Sequence, residues 1–328
     1  MKAFGKADTA CMKSRAVVVF AIMLFFGVLF PNTVLRAVEP EEKISVLVSI
    51  LPQVYFVERV GGQRVDVTVL VGPSQSPHTF EPSPRQMAEI SNARVFFRIG
   101  ADFEEGLIPK LTGMYPNLDI VDTRENITLL TRSQHHRHGE HDHDREYNDD
   151  HHAHSGHGNG PEEQGTPDPH IWLDPKRVMI QAVTVARNLV RFDPANAQTY
   201  EENLKEFQKD LARLDRDIAQ SLAPYQGNRF FVFHPAFGYF ADSYGLIQVA
   251  IEIEGKEPGA RQLATLIREA KTQGVKVIFV QPQFSQKNAE AVAREIGGAV
   301  VPINPLPREY QLELGTMAQT IREGLSKQ

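Results

Sequence analysis

Strand-length apolar runs alternate with helix-length segments twice along this chain, and this alternation restricts the possible fold more than any other feature. Apolar strands that alternate with helices are typical of a mainly parallel sheet covered on both faces. The pattern first predicts strands at 44–51, 65–71, 95–99 and 118–121, with helices at 53–60, 84–93 and 176–191. It then predicts strands at 229–233, 247–251, 276–280 and 299–303, with helices at 237–244, 260–273, 286–296 and 309–325. We therefore predict an α/β protein with two similar lobes.

A long amphipathic segment separates the two stretches. It begins at Asp193-Pro194, a residue pair typical of a helix start. Its apolar residues recur every three or four positions, along one face of a helix of about 30 residues and about 45 Å. These residues are Tyr200, Leu204, Phe207, Leu211, Leu214, Ile218 and Leu222. A coiled-coil seam has the same pattern, but the flanking α/β stretches favour a helix that lies across both lobes. We predict an N-terminal lobe at 44–192, a linking helix at 193–224 and a C-terminal lobe at 228–328.

The first 37 residues are typical of an export signal. Four basic residues precede an apolar run at 16–30, which Pro31 ends. A basic segment followed by about 15 apolar residues indicates a secretory signal peptide, since a membrane-spanning helix needs about 20. We therefore predict a signal peptide at 1–37, with an uncleaved N-terminal membrane anchor as the alternative.

Cysteine use and charge limit the chemistry of the exported chain. Cys11 is the only cysteine and precedes the apolar run, so the mature protein has neither a disulfide nor a thiolate metal site. Removing residues 1–37 takes away five of the 35 basic residues and one of the 41 acidic residues, which leaves a net charge of about −10. This balance disfavours nucleic acid as a partner and suits a soluble protein that handles cations.

Residues 132–166 interrupt the N-terminal lobe with a polar, histidine-rich segment. Such a composition does not bury enough apolar surface to offset the entropy of ordering, so we predict a flexible loop. Nine of the twelve histidines lie in it: His135, His136, His138, His141, His143, His151, His152, His154 and His157. These side chains could collect metal ions at weak, interchangeable sites, and a tolerated low-complexity insertion is the alternative.

The three remaining histidines, His78, His170 and His234, occupy similar surroundings. Each is next to a proline, and each follows a predicted strand or lies in a long connection. Ligands of open α/β sheets bind beyond the carboxyl ends of the strands, so we expect these side chains to gather in a cleft between the lobes. Each one alone could be an ordinary histidine at a loop edge. Together they predict a metal site of nitrogen ligands, which suits zinc, with copper, nickel and manganese as alternatives.

Five short motifs follow one another along the chain. They are Pro77-His78-Thr79-Phe80-Glu81-Pro82, His170-Ile171-Trp172-Leu173-Asp174-Pro175, His234-Pro235-Ala236-Phe237-Gly238-Tyr239-Phe240, Glu254-Gly255-Lys256-Glu257-Pro258 and Pro282-Gln283-Phe284-Ser285. Together they resemble the metal-binding solute receptors of bacterial ABC transporters, and the resemblance covers residues 44–328. It implies two α/β lobes joined by a rigid helix, a metal ion between the lobes, a periplasmic or cell-surface location, and a membrane permease as partner.

The resemblance also bears on which metal is bound. Manganese-type receptors carry a carboxylate where His234 stands, whereas zinc-type receptors keep a histidine and commonly have a histidine-rich loop. The chain is therefore most similar to the zinc type, with Zn²⁺ as the transported ligand and manganese or another divalent metal as the alternative. It departs from the family at Asn304, where an aspartate ligand is frequent. A neutral amide is a poor zinc ligand, so the expected fourth ligand is water or a carboxylate such as Glu81 or Glu309.

Two other functional classes compete with that of a receptor. Zinc held by three histidines and a water is also the centre of hydrolytic enzymes, but the sequence has no HExxH motif. Some receptors of this type are described as adhesins, and this chain has no repeats or wall-anchoring tail to support that role. We therefore predict a monomeric receptor that captures and releases zinc and is not an enzyme.

Overall fold

The computed structural model describes residues 43–131, 166–252, 259–284 and 286–327, which belong to one compact unit. The predicted signal peptide at 1–37 and the nine histidines predicted to form a metal-collecting loop lie outside the described residues. Among the helices that the structure describes, none has the length and apolar character needed to cross a membrane.

The N-terminal sheet contains four parallel strands. They are β1 (Ile44–Ile50), β2 (Val65–Val71), β3 (Val95–Arg98) and β4 (Asp119–Asp122), in the spatial order β2-β1-β3-β4. The helices that accompany them are α1 (Leu51–Gly61), α2 (Pro84–Ile90), α3 (Asp102–Met114) and α4 (Pro175–Phe192). The alternation of apolar strands with helices therefore predicts this sheet correctly.

The C-terminal sheet repeats the same topology. Its strands are β5 (Arg229–Val232), β6 (Ile247–Ala250), β7 (Val277–Val280) and β8 (Ala299–Pro302), in the order β6-β5-β7-β8, all parallel. Its helices are α6 (Gly238–Tyr244), α7 (Ala260–Thr272), α8 (Lys287–Ile296) and α9 (Tyr310–Leu325). In both sheets the chain reverses its direction of winding beside the first strand, and such a switch point leaves a crevice beyond the carboxyl ends of the strands.

One long helix, α5 (Ala197–Leu222), connects the two sheets and packs against α4 and α9. Its apolar stripe is the predicted one, because Tyr200, Phe207, Leu211, Ile218 and Leu222 are buried. These side chains belong to a hydrophobic core that continues from the first sheet to one face of the second. A separate core covers the other face of the second sheet, beneath α7 and α8. The two-lobed α/β fold with a linking helix is therefore confirmed.

The helix α3 is absent from the sequence prediction. Its segment contains Gly106, Pro109 and Gly113, which weaken the helical pattern. Its first turn contains Asp102, Glu104 and Glu105, whose negative charges stabilise the amino-terminal end of a helix. This turn follows the carboxyl end of β3, so it lies at the edge of the sheet where a ligand is expected.

Candidate metal centre

The side chains of His78, His170 and His234 converge on one point. The Nε2 atom of His234 lies 3.0 Å from Nε2 of His78 and 3.3 Å from Nε2 of His170. All three ligand atoms lie within 4.8 Å of one another, and they form the only such cluster in the described part of the chain. Zinc–nitrogen bonds of about 2.0–2.1 Å put neighbouring ligands of a tetrahedron about 3.3 Å apart. The two separations from Nε2 of His234 therefore match the ligand spacing of a single tetrahedral ion.

His78 lies in the connection between β2 and α2. Its backbone N–H is 3.3 Å from the Ser76 hydroxyl, and its Nδ1 is 2.8 Å from Oδ2 of Asp102 at the start of α3. The His78 side chain is 22% exposed, against 7% for His170 and 8% for His234. The cluster is therefore closest to solvent on the His78 side.

His170 begins a short 3₁₀ turn, Ile171–Leu173, directly before α4. The Asp168 carboxylate accepts the His170 backbone N–H at 3.0 Å and lies 2.6 Å from the ring Nδ1. The ring also contacts Trp172, with 5.1 Å between the ring centroids. The indole N–H of Trp172 donates to the Pro305 carbonyl at 2.6 Å, which ties this turn to the C-terminal lobe.

His234 lies two residues beyond the end of β5 and is almost fully buried. Its Nδ1 is 3.1 Å from Oε1 of Glu252, a buried residue just after β6. Burial lowers the pKa of His234 to about 4, and the neighbouring imidazoles act in the same direction, while the hydrogen bond that Nδ1–H donates to Glu252 opposes them. His234 is therefore a neutral imidazole at neutral pH, the protonation state that binds a metal.

Each histidine in the cluster has a carboxylate at the nitrogen opposite the convergence point. The three carboxylates are Asp102, Asp168 and Glu252. A carboxylate that accepts Nδ1–H fixes the tautomer, orients the ring and leaves the Nε2 lone pair for a metal. Three such lone pairs that face one another without a donor between them repel, and a bound cation removes this repulsion.

The sequence alone assigns no role to these three carboxylates. Asp102 lies four residues after the end of β3, Glu252 lies two residues after the end of β6, and Asp168 precedes its histidine by two. Each of these acidic residues lies shortly after the carboxyl end of a strand or next to a candidate ligand in the chain. From such a position its carboxylate reaches a ring nitrogen. This pattern became specific only when the strand order was known.

Neither of the two carboxylates predicted as possible fourth ligands belongs to the histidine cluster. Glu81 and Glu309 are exposed. The side-chain oxygen Oδ1 of Asn304 accepts hydrogen bonds from the backbone N–H of Leu306 at 3.1 Å and from the side-chain amide of Gln283 at 3.2 Å. Since both hydrogen bonds stay within the C-terminal lobe, Asn304 has a structural role in the connection after β8.

A buried centre of three imidazoles beyond two parallel α/β sheets defines a two-lobed metal-binding protein. The chain belongs to the ZnuA family, described as zinc-uptake complex component A, periplasmic, whose match spans residues 46–325. This membership confirms the family resemblance inferred from the five sequence motifs.

Three relatives illustrate the similarity. The high-affinity zinc uptake system protein ZnuA of Bacillus subtilis is 31% identical over 270 residues, which cover 81% of this chain and 79% of that protein. The zinc-binding protein AdcA of Streptococcus pyogenes is 29% identical over 300 residues, which cover 90% of this chain and 56% of AdcA, so this chain spans little more than half of that relative. A crystal structure of a ZnuA deletion mutant with zinc bound is 37% identical, with a TM-score of 0.75, and covers 88% of this chain and 100% of that one.

Proposed function

We propose that this protein captures zinc outside the cytoplasmic membrane and delivers it to an ABC-type importer. The single observation that carries the proposal is the convergence of three imidazoles, in which Nε2 of His234 lies at tetrahedral zinc-ligand spacing from Nε2 of each of the other two. Three neutral nitrogen ligands favour zinc over manganese, which prefers oxygen ligands. Zinc is the cargo of the protein, held by His78, His170 and His234, with a water as the fourth ligand.

The proposed mechanism is capture and release by a monomer in the periplasm, with a membrane permease as the partner. Family membership supports this mechanism, since the family is described as a component of zinc uptake. A hydrolytic enzyme would need a general base beside the metal-bound water. The carboxylates that contact this cluster instead hold the Nδ1 atoms of the ligands, so we infer that the protein is not an enzyme.

The histidine-rich segment is proposed to be a secondary metal-collecting loop that the tight site does not require. Its two ends lie side by side, because Thr131 and Pro167 form an antiparallel bridge and Asp168 N–H donates to the Leu130 carbonyl at 2.8 Å. A short linker can therefore replace residues 133–165 without separating Asp168 from its neighbours. This geometry makes a loopless variant a suitable test of the proposal.

The test is a calorimetric titration of the mature protein with zinc and, separately, with manganese. The wild-type and loopless proteins are expected to bind one equivalent of zinc tightly, His234→Ala is expected to lose this binding, and Glu81→Ala is the control with an exposed carboxylate removed. Manganese is expected to bind far more weakly in every variant. The proposal would be wrong if the loopless variant lost tight zinc binding while His234→Ala kept it. The protein would then be a zinc buffer that binds the metal with its histidine-rich loop.

A further inference from the structure

The side chain of Gln281 forms two hydrogen bonds with the backbone of His234. Its carbonyl oxygen accepts the His234 N–H at 3.0 Å, and its amide nitrogen donates to the His234 carbonyl at 2.8 Å. Gln281 is fully buried, so water does not compete for these two hydrogen bonds. A buried amide with both of its ends paired fixes the position of its partner.

These two bonds continue the sheet past the end of its strands. The pairing of β5 with β7 matches Val232 with Phe279, and its last backbone hydrogen bond joins Phe233 N–H to the Phe279 carbonyl at 2.8 Å. His234 and Gln281 come next in this register. The Gln281 carboxamide thus takes the place of a peptide group and continues the hydrogen bonding of the sheet to His234.

The same turn also fixes the plane of the His234 ring. Phe284 N–H donates to the Gln281 carbonyl at 3.1 Å, which closes the turn of residues 281–284. The Phe284 ring stacks on the imidazole, with 4.7 Å between the centroids and 18° between the planes. β6 lies on the other side of β5 from β7, and Glu252 follows it. The Glu252 backbone N–H donates to the Phe233 carbonyl at 2.9 Å, which places the Glu252 carboxylate at Nδ1 of His234.

We propose that the 281–284 turn positions His234 for zinc, with Gln281 fixing its backbone and Phe284 fixing its ring plane. This inference rests on the proposed function, because it assigns a role in the same site. His234 contacts both other ligands through its Nε2, so its placement sets the geometry of the whole cluster. A ligand that is held in place before the metal arrives loses little entropy on binding, which raises the affinity for zinc. We expect this gain to appear as slower zinc dissociation.

The test compares Gln281→Met with Gln53→Met. Gln53 is also a buried glutamine whose side chain holds backbone groups, those of Ser49, Ile50 and Phe97, but it contacts no ligand. Both substitutions remove buried hydrogen bonds and are expected to lower the melting temperature of the metal-free protein to a similar extent. Zinc dissociation, measured by transfer to a chromogenic chelator, is expected to accelerate about 10- to 100-fold in Gln281→Met and to stay within about twofold of wild type in Gln53→Met.

A second variant, Phe284→Leu, keeps both Gln281 hydrogen bonds and removes only the stacked ring. It is expected to accelerate zinc dissociation about 3- to 10-fold, since it removes one of the contacts on His234, and it decides the question if Gln281→Met does not fold. Wild-type dissociation rates in the folded variants would overturn the positioning role. His234→Ala is measured alongside: if it loses tight binding while both turn variants bind as wild type, the proposed receptor site stands and only this inference fails.

Discussion

At the scale of single residues, the site depends on what surrounds each histidine more than on the histidines themselves. Imidazole alone is a weak and pH-sensitive ligand. In this protein burial keeps His234 neutral, and a carboxylate at Nδ1 orients its ring. The nine loop histidines are a contrasting case, since their sequence predicts weak and interchangeable metal sites.

The lowered pKa of His234 predicts how the stability of the metal-free protein depends on pH. Burial lowers this pKa from its ordinary value of 6.5 to about 4, so between these values the unfolded state binds a proton that the native state does not. The contribution of His234 to stability is therefore fully present above about pH 6.5 and is lost as the pH falls toward 4, and it amounts to on the order of 3 kcal/mol.

The direct measurement is an NMR titration of the imidazole resonances of the metal-free protein. The His234 signals, assigned by comparison with His234→Asn, are expected to titrate near pH 4. Urea unfolding at pH 7, 5.5 and 4.5 is expected to give a steeper loss of unfolding free energy in wild type than in His234→Asn. A His234 midpoint near 6.5 would contradict the prediction.

At the scale of secondary-structure elements, the first turn of α3 connects the N-terminal sheet to the site. The Glu104 carboxylate accepts the Ser49 hydroxyl at 2.5 Å and the backbone N–H groups of Ile99 and Gly100 at 2.9 and 2.8 Å. Burial raises the pKa of Glu104 above its usual value, although these hydrogen bonds oppose the shift. Because Asp102 lies in the same turn, Glu104 fixes the helix end that carries the partner of His78.

Glu104→Ala is therefore expected to lower both stability and zinc affinity. Removing the carboxylate leaves three donors without an acceptor, and the expected loss is about 3 kcal/mol of unfolding free energy. Zinc affinity is expected to fall about 10-fold, because Asp102 no longer holds His78 in place. The control is Glu105→Ala, which removes an exposed acidic residue from the same turn and should change the unfolding free energy by less than about 0.5 kcal/mol.

Urea unfolding and chelator competition on the two variants check this prediction. If both substitutions lowered stability and zinc affinity equally, the negative charge at the helix end would be the cause, and the buried hydrogen bonds of Glu104 would not.

At the scale of the whole molecule, the two sheets share one continuous core. Tyr310, at the start of α9, is fully buried and packs edge-on against Phe56 of α1, with 4.9 Å between the ring centroids. Further contacts bind the lobes beside the site, since the Tyr239 hydroxyl donates to the Asp168 carbonyl at 2.8 Å and accepts the Leu130 N–H at 2.9 Å. A shared core of this kind makes the two lobes unfold together.

Tyr310→Ala tests this coupling. The substitution is expected to cost about 3–5 kcal/mol and to lower the stability of both lobes at once, because the cavity lies between them. The fluorescence of Trp172, the only tryptophan, and the far-UV circular dichroism of the whole chain are expected to give coincident unfolding curves in wild type and variant. Leu312→Ala, which removes a side chain that is 72% exposed on the same helix, should leave both curves unchanged. Two separated transitions in wild type would refute the coupling of the two lobes through their shared core.

The sequence by itself determined most of the secondary-structure elements and the three candidate metal ligands. Periodicity predicted the eight strands and the stripe of α5, because each sheet is covered on both faces and each helix buries one face. The prolines and the strand ends also singled out His78, His170 and His234 among twelve histidines. These signals are local, so a single sequence contains them.

Only the tertiary structure decided which side chains support the ligands. Asp102 and Glu252 lie 24 and 18 residues from their histidines along the chain, and Gln281 lies 47 residues from His234. The strand orders bring these residues together, and strand order depends on the packing of the complete sheet. The helix α3 was missed for a related reason, since buried contacts of Glu104 and Leu107 outweigh the low helix propensity of its glycines and proline.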